Sequence, residues 1–435
     1  MLWTFVLATL GWAAELPGLT PLPVVGLDLD DAELAPFEAI VGDATFVGLG
    51  ESRHVVGGYL EAKARLVRWL VETQGFRLVA IESPWVWALP AHRYVASGEG
   101  TADQALHAIF PAFRDSSTRA LFTCLRAWNT AHPDDPVHFV GFDVQDTPRR
   151  VEQLLETGDA RWRPLARRTL ELRPALDAAS QQGRRPYSDV RDQGMADTLF
   201  AMRALVAPEA RTVVLAHNAH LMRQGSEVPR LWTDTGEHLA RELGESYVSI
   251  GLIASQVDSM GQGWRAHTGR KDLEAALSAA TTSPAALLEV SDPVYAERRW
   301  SVGQRTLHPG VQYDALLYHR TVRPADVTLP DDAPWVQADA MRFGDVGSFR
   351  MLHRAPFDAQ TATSLLTMYG DWIETFGYVA EPERGGGRTW RQRFVCEGLE
   401  DAELVVRRRR DGWIVALDLD LLGAGRREQG RSSAR

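Results

Sequence analysis

Histidine and acidic residues follow several short apolar runs, at points where strands buried in a sheet would end. They are Glu51 and His54 after TFVGLG, Glu82 after LVAI, Asp143 after FVGF, and His217, Asn218 and His220 after VVLA. A charged residue at the end of a buried strand is costly unless it is paired or reaches water. Histidines with carboxylates suit general acid–base activation of water, and the same set could hold a metal ion.

The apolar runs also predict the elements that would position these side chains. Seven have the continuous apolar pattern of strands buried on both faces: residues 44–50, 77–82, 137–143, 212–217, 246–251, 286–290 and 314–319. Helical patterns separate them, so we expect an α/β fold with a largely parallel sheet and flanking helices. The carboxyl ends of parallel strands share one edge of a sheet, where ligands bind. The polar residues should therefore meet in one crevice.

Three segments are expected along the chain. Residues 1–14 have the composition of a signal peptide, and residues 15–326 form the main domain, with a helical insertion at about 147–208. Proline and aspartate near residue 326 indicate a linker. Residues 327–435 then predict a small α+β appendage with a disordered tail. It should include a helix around residues 358–377 and a hairpin that turns at Asp411-Gly412.

Composition narrows the class of partner. The net charge of −10 is unlike that of a nucleic-acid-binding protein, so we expect no nucleic-acid partner. The apolar run at the start is short for a membrane span, so we expect no stable membrane insertion. Cleavage of that run would make the protein exported, either periplasmic or secreted; without cleavage it would be cytoplasmic. Composition does not indicate an oligomeric state.

Several catalytic motifs are missing from the sequence. It has no GxSxG elbow, so Ser52 lacks the sequence context of a serine nucleophile. It has no Walker A sequence and no GxGxxG after a strand, so no nucleotide cofactor is expected. Glu51 and His54 do not have HExxH spacing, and Cys124 and Cys396 do not have the spacing of zinc ligands. Water activation without a metal is favoured, and a metal-dependent route stays open.

The motifs resemble the erythromycin esterase family over roughly residues 40 to 326. The matching stretches are GLGESRHVVGGYLEAKARLVRWLVETQGF, VAIES, VGFD, VRDQGMAD and VVLAHNAH, in the family's order. The resemblance implies an α/β fold and, as in the best-known members, hydrolysis of a macrolide lactone without a required metal. A role in antibiotic resistance would follow only if this chain shares that substrate.

The resemblance also implies roles for single residues. His54 matches the proposed general base for the attacking water, and Glu51 and Glu82 match carboxylates suited to orienting the histidine or the water. His217 and His220 match paired histidines expected to contact the substrate or to stabilise developing negative charge. His54, Glu51, Glu82 and His217 are therefore the expected catalytic residues.

Other residues are expected on the substrate side of the site. The family usually has arginine where this chain has Lys63, and many members have glutamate where this chain has Gly58. Trp85 and Trp87 either form an apolar wall for a bulky substrate or pack in the core. The expected substrate-binding residues are Lys63, His220, Asn218, Asp143 and Trp85.

The leading hypothesis is a hydrolase that cleaves a small-molecule ester or lactone, possibly a macrolide, through histidine-activated water. One alternative is a metal-dependent hydrolase or peptidase that uses the same histidines and glutamates. The other is a binding protein without catalysis, which the departures at Lys63 and Gly58 motivate.

Overall fold

A computed structural model describes most of the first three quarters of the chain and five strands beyond it. The described ranges are 16–146, 148–259, 262–265, 272–303, 305–326, 377–379, 383–385, 389–396, 399–409 and 412–416. The chain divides into two compact units, Met1–Ala325 and Asp326–Arg435. The expected signal peptide, the helix around 358–377 and the C-terminal tail lie outside the described residues.

Strands and helices alternate along the first unit. Its strands are β1 (Leu19–Leu22), β2 (Phe46–Leu49), β3 (Phe76–Pro84), β4 (His138–Asp143), β5 (Arg211–Leu215), β6 (Tyr247–Ser259), β7 (Gln262–Arg265), β8 (Ala285–Glu289), β9 (Trp300–Val302), β10 (Arg305–Leu307) and β11 (Ala315–Val322). Its helices are α1 (Ala35–Val41), α2 (Gly57–Glu72), α3 (Leu89–Ser97), α4 (Ala102–His107), α5 (Ser116–Ala131), α6 (Pro148–Thr157), α7 (Arg163–Gln182), α8 (Arg184–Val206), α9 (Thr235–Leu243), α10 (Leu273–Ala280), α11 (Pro293–Glu297) and α12 (Pro309–Gln312).

One mixed sheet organises this unit. Its strand order is β1-β8-β11-β6-β2-β5-β3-β4, and β7 pairs with β6. The six strands from β11 to β4 in this order run parallel, whereas β8 is antiparallel to both of its neighbours. All seven predicted strands are present, and the expected α/β class is confirmed. The strands β1, β7, β9 and β10 were not predicted.

Alternation of side chains across the central strands explains why they are buried on both faces. Val47 and Val213 pack in one apolar cluster, whereas Phe46 and Val214 pack in another. Successive side chains of a strand point to opposite faces, so both faces of the sheet must be covered by helices. The apolar runs in the sequence are therefore continuous rather than alternating.

The segment between β4 and β5 is helical, as predicted, and consists of α6, α7 and α8. Helix α8 packs against both α7 and β4. Trp162, directly before α7, and Leu165 in its first turn pack in one apolar cluster with Phe142 of β4 and Met195 of α8. The insertion thereby places the middle of α8 beside the carboxyl end of β4.

Among the described residues, no helix is both long and apolar enough to cross a membrane.

The second unit contains an antiparallel sheet of five described strands. They are β12 (Gly377–Val379), β13 (Glu383–Gly385), β14 (Thr389–Cys396), β15 (Leu399–Arg409) and β16 (Gly412–Ala416). The predicted pairing of β15 with β16 is confirmed, with Arg409 opposite Gly412. Gly412 begins β16, and Asp411, the other residue of the predicted turn, lies outside the described residues.

Candidate active site

The polar strand ends found in the sequence lie side by side. Strands β2, β5, β3 and β4 are consecutive neighbours, and all four are parallel. Their carboxyl ends therefore open onto one edge of the sheet, the usual location of ligand sites in open α/β folds. The expected convergence is confirmed: direct contacts connect Glu51 with His54, and Glu82 with both His217 and His220.

Backbone geometry fixes the loop after β2. Ser52 N–H donates to the Leu252 carbonyl at 3.0 Å, and Asn218 N–H donates to the Glu51 carbonyl at 2.7 Å. A Cβ atom on Gly50 would overlap Asn218 Oδ1, so glycine is needed where these two loops meet. Val55 has a φ of +61°, a strained conformation for a β-branched residue. The strain lies directly after His54, where the chain turns into α2.

Glu51 connects a buried cation to an accessible histidine. Its Oε2 accepts a hydrogen bond from Lys63 Nζ at 2.7 Å, and its Oε1 lies 2.8 Å from His54 Nδ1. The side chain of Glu51 is only 1% exposed. Both carboxylate oxygens are therefore committed, which fixes the plane of the carboxylate and the orientation of the His54 ring.

Lys63 lies inside the protein, away from solvent. It belongs to α2, a helix buried on most of its surface, and its Nζ also donates to the Ala216 carbonyl at 3.0 Å. The Nζ lies 5.5 Å from the centre of the Phe113 ring. Burial lowers the pKa of Lys63, and the charge of Glu51 opposes that shift. Lys63 thus holds Glu51 in place, and its contacts are with the protein.

His54 is the accessible member of this trio. Its side chain is 34% exposed, and Glu51 is its one hydrogen-bonding partner among the described residues. With Nδ1–H donating to the Glu51 carboxylate, the Nε2 lone pair is available to accept a proton. The geometry is that of a histidine base oriented by a carboxylate.

His217 lies beside His54 and presents a hydrogen-bond donor. The two ring centres are 4.9 Å apart. His217 Nδ1 accepts a hydrogen bond from Ala219 N–H at 3.0 Å, at the start of the 3₁₀ helix Asn218–His220. Burial and the nearby charge of His54 lower the pKa of His217 well below its usual value. The ring is therefore neutral, with its proton on Nε2, and can donate to a substrate oxygen.

Glu82 is the central carboxylate of a second set of contacts. Its Oε2 accepts from His217 N–H at 2.9 Å, and its Oε1 lies 3.0 Å from Arg191 Nη2 and 3.3 Å from His220 Nε2. Burial raises the pKa of Glu82, but the charges of His220 and Arg191 outweigh burial and hold it well below its usual value. Glu82 is therefore ionised and positions the His217 backbone.

Arg191 joins Glu82 to Asp143. Its Nε and Nη2 donate to the two oxygens of Asp143 at 3.0 and 2.8 Å, a two-pronged contact that fixes both groups. Burial lowers the pKa of Arg191, but Asp143 and Glu82 more than compensate and raise it well above its usual value. Asp143 therefore holds Arg191, and the expected contact of Asp143 with a substrate stays a prediction.

His220 is enclosed between two carboxylates. Its Nδ1 lies 2.6 Å from Asp192 Oδ1, which also accepts from Thr235 N–H and Thr235 Oγ1–H, both at 3.0 Å. Burial lowers the pKa of His220, but Asp192 and Glu82 outweigh burial and raise it. Both ring nitrogens have a protein partner, which gives His220 a supporting role, and the expected substrate contact at His220 stays a prediction. Glu82, Asp143, Arg191, Asp192 and His220 are hereafter the support network.

Two further residues expected on the substrate side, Asn218 and Trp85, are buried. Asn218 is almost fully buried and its Nδ2 donates to the Leu252 carbonyl at 3.2 Å, so its side chain braces the loop. Trp85 is fully buried, and its Nε1–H donates to Thr169 in α7 at 2.9 Å. Trp85 was expected either to form an apolar wall for a substrate or to pack in the core, and its burial matches core packing. It packs against the helical insertion because a large indole with a satisfied N–H suits that interface.

The sequence reasoning missed Arg191 and Asp192. Both lie on α8, and Arg191 contacts three groups of the cluster while Asp192 holds His220. The stretch VRDQGMAD that contains them was recognised as part of the family pattern, but no role was assigned to it. The available signal was this adjacent pair of opposite charges in an otherwise amphipathic helix.

The contacts of Ser52 and of the carboxylates can be compared with those that a serine nucleophile or a metal site would need. Ser52 Oγ is 2.9 Å from Tyr59 Oη, so its hydrogen-bonding partner is a buried tyrosine rather than His54. Within the described ranges, no group of three or more His, Cys, Asp and Glu side chains is arranged to hold a metal ion. The cluster instead pairs each carboxylate with a cationic or N–H group of the protein.

A family model matches most of the unit that carries this cluster. The model for the erythromycin esterase family matches residues 71–188 and 165–326, which together make up more than half of the chain. Erythromycin esterase type II from Escherichia coli is 25% identical over 112 residues, a segment that is 26% of this chain and 26% of that protein.

Solved structures share the fold over 72% of this chain. A protein from Bacillus cereus has a TM-score of 0.59 at 19% identity, with 97% of that chain covered. A succinoglycan biosynthesis protein has a TM-score of 0.56 at 17% identity, with 96% covered. A mutant of the erythromycin esterase EreC in its open conformation has a TM-score of 0.53 at 16% identity, with 100% covered. At these identities the likeness is one of fold, and the family match decides membership: this chain belongs to the erythromycin esterase family.

Proposed function

We propose that this protein hydrolyses a carboxylic ester or lactone of a small molecule, with water activated by His54. The observation that carries the proposal is the bridge Lys63–Glu51–His54, in which a buried carboxylate fixes the ring and leaves Nε2 accessible. Membership of the erythromycin esterase family supports the class of reaction. A macrolide lactone is one candidate substrate within that class.

The proposed reaction begins with proton removal from water. His54 Nε2 takes the proton while the water oxygen forms a bond to the acyl carbon of the substrate. Glu51 accepts the Nδ1–H of the resulting imidazolium and stabilises its charge, as carboxylates do for catalytic histidines. Lys63 holds that carboxylate in place through the hydrogen bond from its Nζ to Oε2.

Negative charge then develops on the carbonyl oxygen. His217 can donate its Nε2–H there, because Nδ1 is occupied by Ala219 N–H and the ring adjoins His54. The bond from the acyl carbon to the alkoxy oxygen then breaks, and His54 returns its proton to that oxygen. One water is consumed, and one acid and one alcohol are formed.

The support network would act by positioning rather than by contacting the reacting atoms. Glu82 holds His217 N–H, and Arg191 and His220 in turn hold Glu82. Donors fixed before the reaction need no reorganisation in the transition state, which is the main source of electrostatic catalysis. A displacement of the strand end after β5 would therefore reduce turnover without removing any reacting group.

The test is mass spectrometry of the purified protein incubated with a panel of macrolides and simple acyl esters. We expect the mass of one water to be added to a lactone, or an ester to be cleaved. His54→Gln should lower the rate by about 10² or more, the typical contribution of a general base. His132→Gln, a change at an exposed histidine on the α5 terminus, should leave it unchanged. Equal turnover by His54→Gln and the unchanged protein would contradict the proposal.

The first 14 residues add a proposal about location. Their apolar composition supports an export signal, so the mature protein would be periplasmic or secreted. Amino-terminal sequencing of the protein recovered from its native host tests this, and an intact Met1 on a cytoplasmic protein would contradict it.

A further inference from the structure

Three arginines near the candidate site have no carboxylate partner among the residues that the structure describes. Arg53 lies between Ser52 and His54 in the loop after β2, Arg184 begins α8, and Arg305 begins β10. None of the three forms an ion pair with a described residue. Arg53 Nη1 is buried and has no hydrogen-bonding partner. These three residues are hereafter the arginine rim.

Electrostatic and ring contacts place the arginine rim beside the reacting groups. The charge of Arg305 contributes to the low pKa of His217, after burial and His54. Burial lowers the pKa of Arg305, and the charge of Arg184 lowers it further. The Arg184 guanidinium is 5.6 Å from the centre of the Trp232 ring, which is 5.7 Å from that of His220. The Trp232 ring therefore lies between Arg184 and His220, at the end of β5.

The β9–β10 hairpin holds Arg305 over the loop that contains Arg53. Gly303, in the turn of this hairpin, donates its N–H to Glu274. A Cβ atom on Gly303 would lie 3.4 Å from Ser52 Cβ, so the turn rests directly on the loop after β2. Arg305 and Arg53 thus approach the site from two elements that contact each other.

Acidic groups near the arginine rim do not cancel its charge. Burial and the charge of Asp192 raise the pKa of Asp234, the carboxyl group that faces Arg305, well above its usual value. Burial raises the pKa of Glu274 to about 8. Burial therefore disfavours a negative charge on both groups. Glu51 and Glu82 are already paired, with Lys63 and with the support network.

We infer that the arginine rim binds an anionic group, a carboxylate or a phosphate, on the ester that the His54 site hydrolyses. The inference rests on the proposed function and adds the class of substrate. Guanidinium groups bind such anions through charge-assisted hydrogen bonds, and the unsatisfied Arg53 N–H would gain an acceptor. Three positive charges without an ion pair to a described residue also attract anions and repel cations.

The test measures binding to full-length His54→Gln, in which turnover is suppressed, by isothermal titration calorimetry. The probes are monomethyl succinate, which carries a carboxylate, methyl phosphate, and the uncharged dimethyl succinate. We expect at least one anion to bind about tenfold more tightly than the uncharged ester, and its affinity to fall with added salt. The tighter anion identifies the group as carboxylate or phosphate. Arg305→Gln and Arg184→Gln should each weaken that binding about tenfold.

Arg167→Gln is the matched control, because Arg167 is exposed on α7 and has no ion pair with a described residue. Equal binding of charged and uncharged probes, absence of binding by both anions, or an equal loss in Arg167→Gln would overturn the inference. Turnover of uncharged esters without anion binding would overturn it and leave the proposed function standing. Anion binding without His54-dependent turnover of any ester would overturn the proposed function and leave the anion-binding site standing.

Discussion

Lys63 Nζ lies 2.7 Å from Glu51 Oε2, and the two side chains are 3% and 1% exposed. A buried ion pair of this kind is stable only while both charges are present. The pair also has a mechanistic consequence, because the second oxygen of Glu51 holds His54. The lysine that departs from the family pattern therefore positions the proposed base without touching it.

Replacement of Lys63 with methionine should damage both stability and catalysis. Glu51 would be left buried without its cation, which costs about 3 kcal/mol in the free energy of unfolding. The unneutralised carboxylate would also hold the His54 imidazolium more strongly. We therefore expect the acidic limb of the kcat/KM profile to move to higher pH and kcat to fall more than KM rises. Chemical denaturation and a pH–rate profile measure the two effects.

Lys63→Arg is the control for charge at this position. It keeps the positive charge and restores the residue usual in the family, so it should stay folded and keep kcat/KM within about tenfold of the unchanged protein. A Lys63→Met protein with an unaltered pH–rate profile would show that Lys63 does not act through Glu51 and His54.

Asp192 should be needed to keep His220 charged. In Asp192→Asn the imidazolium loses a carboxylate at 2.6 Å in a buried site, so we expect the free energy of unfolding to fall by about 3 kcal/mol. Asp197→Asn, on the same helix, removes an exposed pair with Arg168 and should cost less than about 1 kcal/mol. Urea denaturation compares the two. Equal losses would contradict the assignment of Asp192 to the support network.

Gly58 is required by packing against β11. A Cβ atom there would lie 2.8 Å from the Cβ of Val322, which is closer than side chains pack. Gly58→Ala should therefore destabilise the protein by about 1–3 kcal/mol, although alanine favours helices. Val322→Gly, which removes the clashing Cβ, should recover part of that loss in the double variant. Additive losses in the double-mutant cycle would contradict the proposed contact.

Acid should destabilise the fold through buried neutral histidines. Burial lowers the pKa of His319 and of His92 to about 4, from an ordinary value of 6.5. Between about pH 6.5 and 4 the unfolded chain binds protons that the folded chain does not, so stability falls on acidification. The raised pKa of His220 does not alter this trend, because its contribution to stability is complete below its ordinary pKa of 6.5 and is lost only as pH rises through the folded value.

The measurement is urea denaturation across that interval for His319→Phe and for His132→Phe, a change at an exposed residue. His319→Phe should lose less stability on acidification than the unchanged protein, and His132→Phe should match the unchanged protein. An unaltered slope in His319→Phe would contradict the assignment of acid sensitivity to this residue.

Strand positions and their polar ends were predictable because buried parallel strands leave continuous apolar runs. Glu51, Glu82 and His217 follow such runs, and the parallel arrangement alone brings them together. The roles of side chains were less predictable. Lys63 and Asp143 carry charges that suit a substrate, but in the fold each has a protein partner. A sequence does not show which charges neutralise one another.

The roles of Arg305 and Arg191 were also not predictable from the sequence. Arg305 lies on β10, a strand of three residues that pairs only with β9, and so short a strand leaves no periodic pattern. Arg191 lies in a helix, where a charged residue normally indicates a solvated face. Both become interpretable only when the helical insertion and the short hairpin are placed at the edge of the sheet.

Chemical rescue tests the role of His54 most directly. His54→Gly removes the imidazole and leaves Glu51, Lys63 and His217 in place. The rate at which it cleaves a substrate ester of the unchanged protein should therefore fall by about 10² or more. Imidazole added to the solution should restore part of the rate, in a saturable manner and with a pH dependence that follows the neutral form of imidazole. Undiminished turnover by His54→Gly without imidazole would contradict the assignment of His54 as the base.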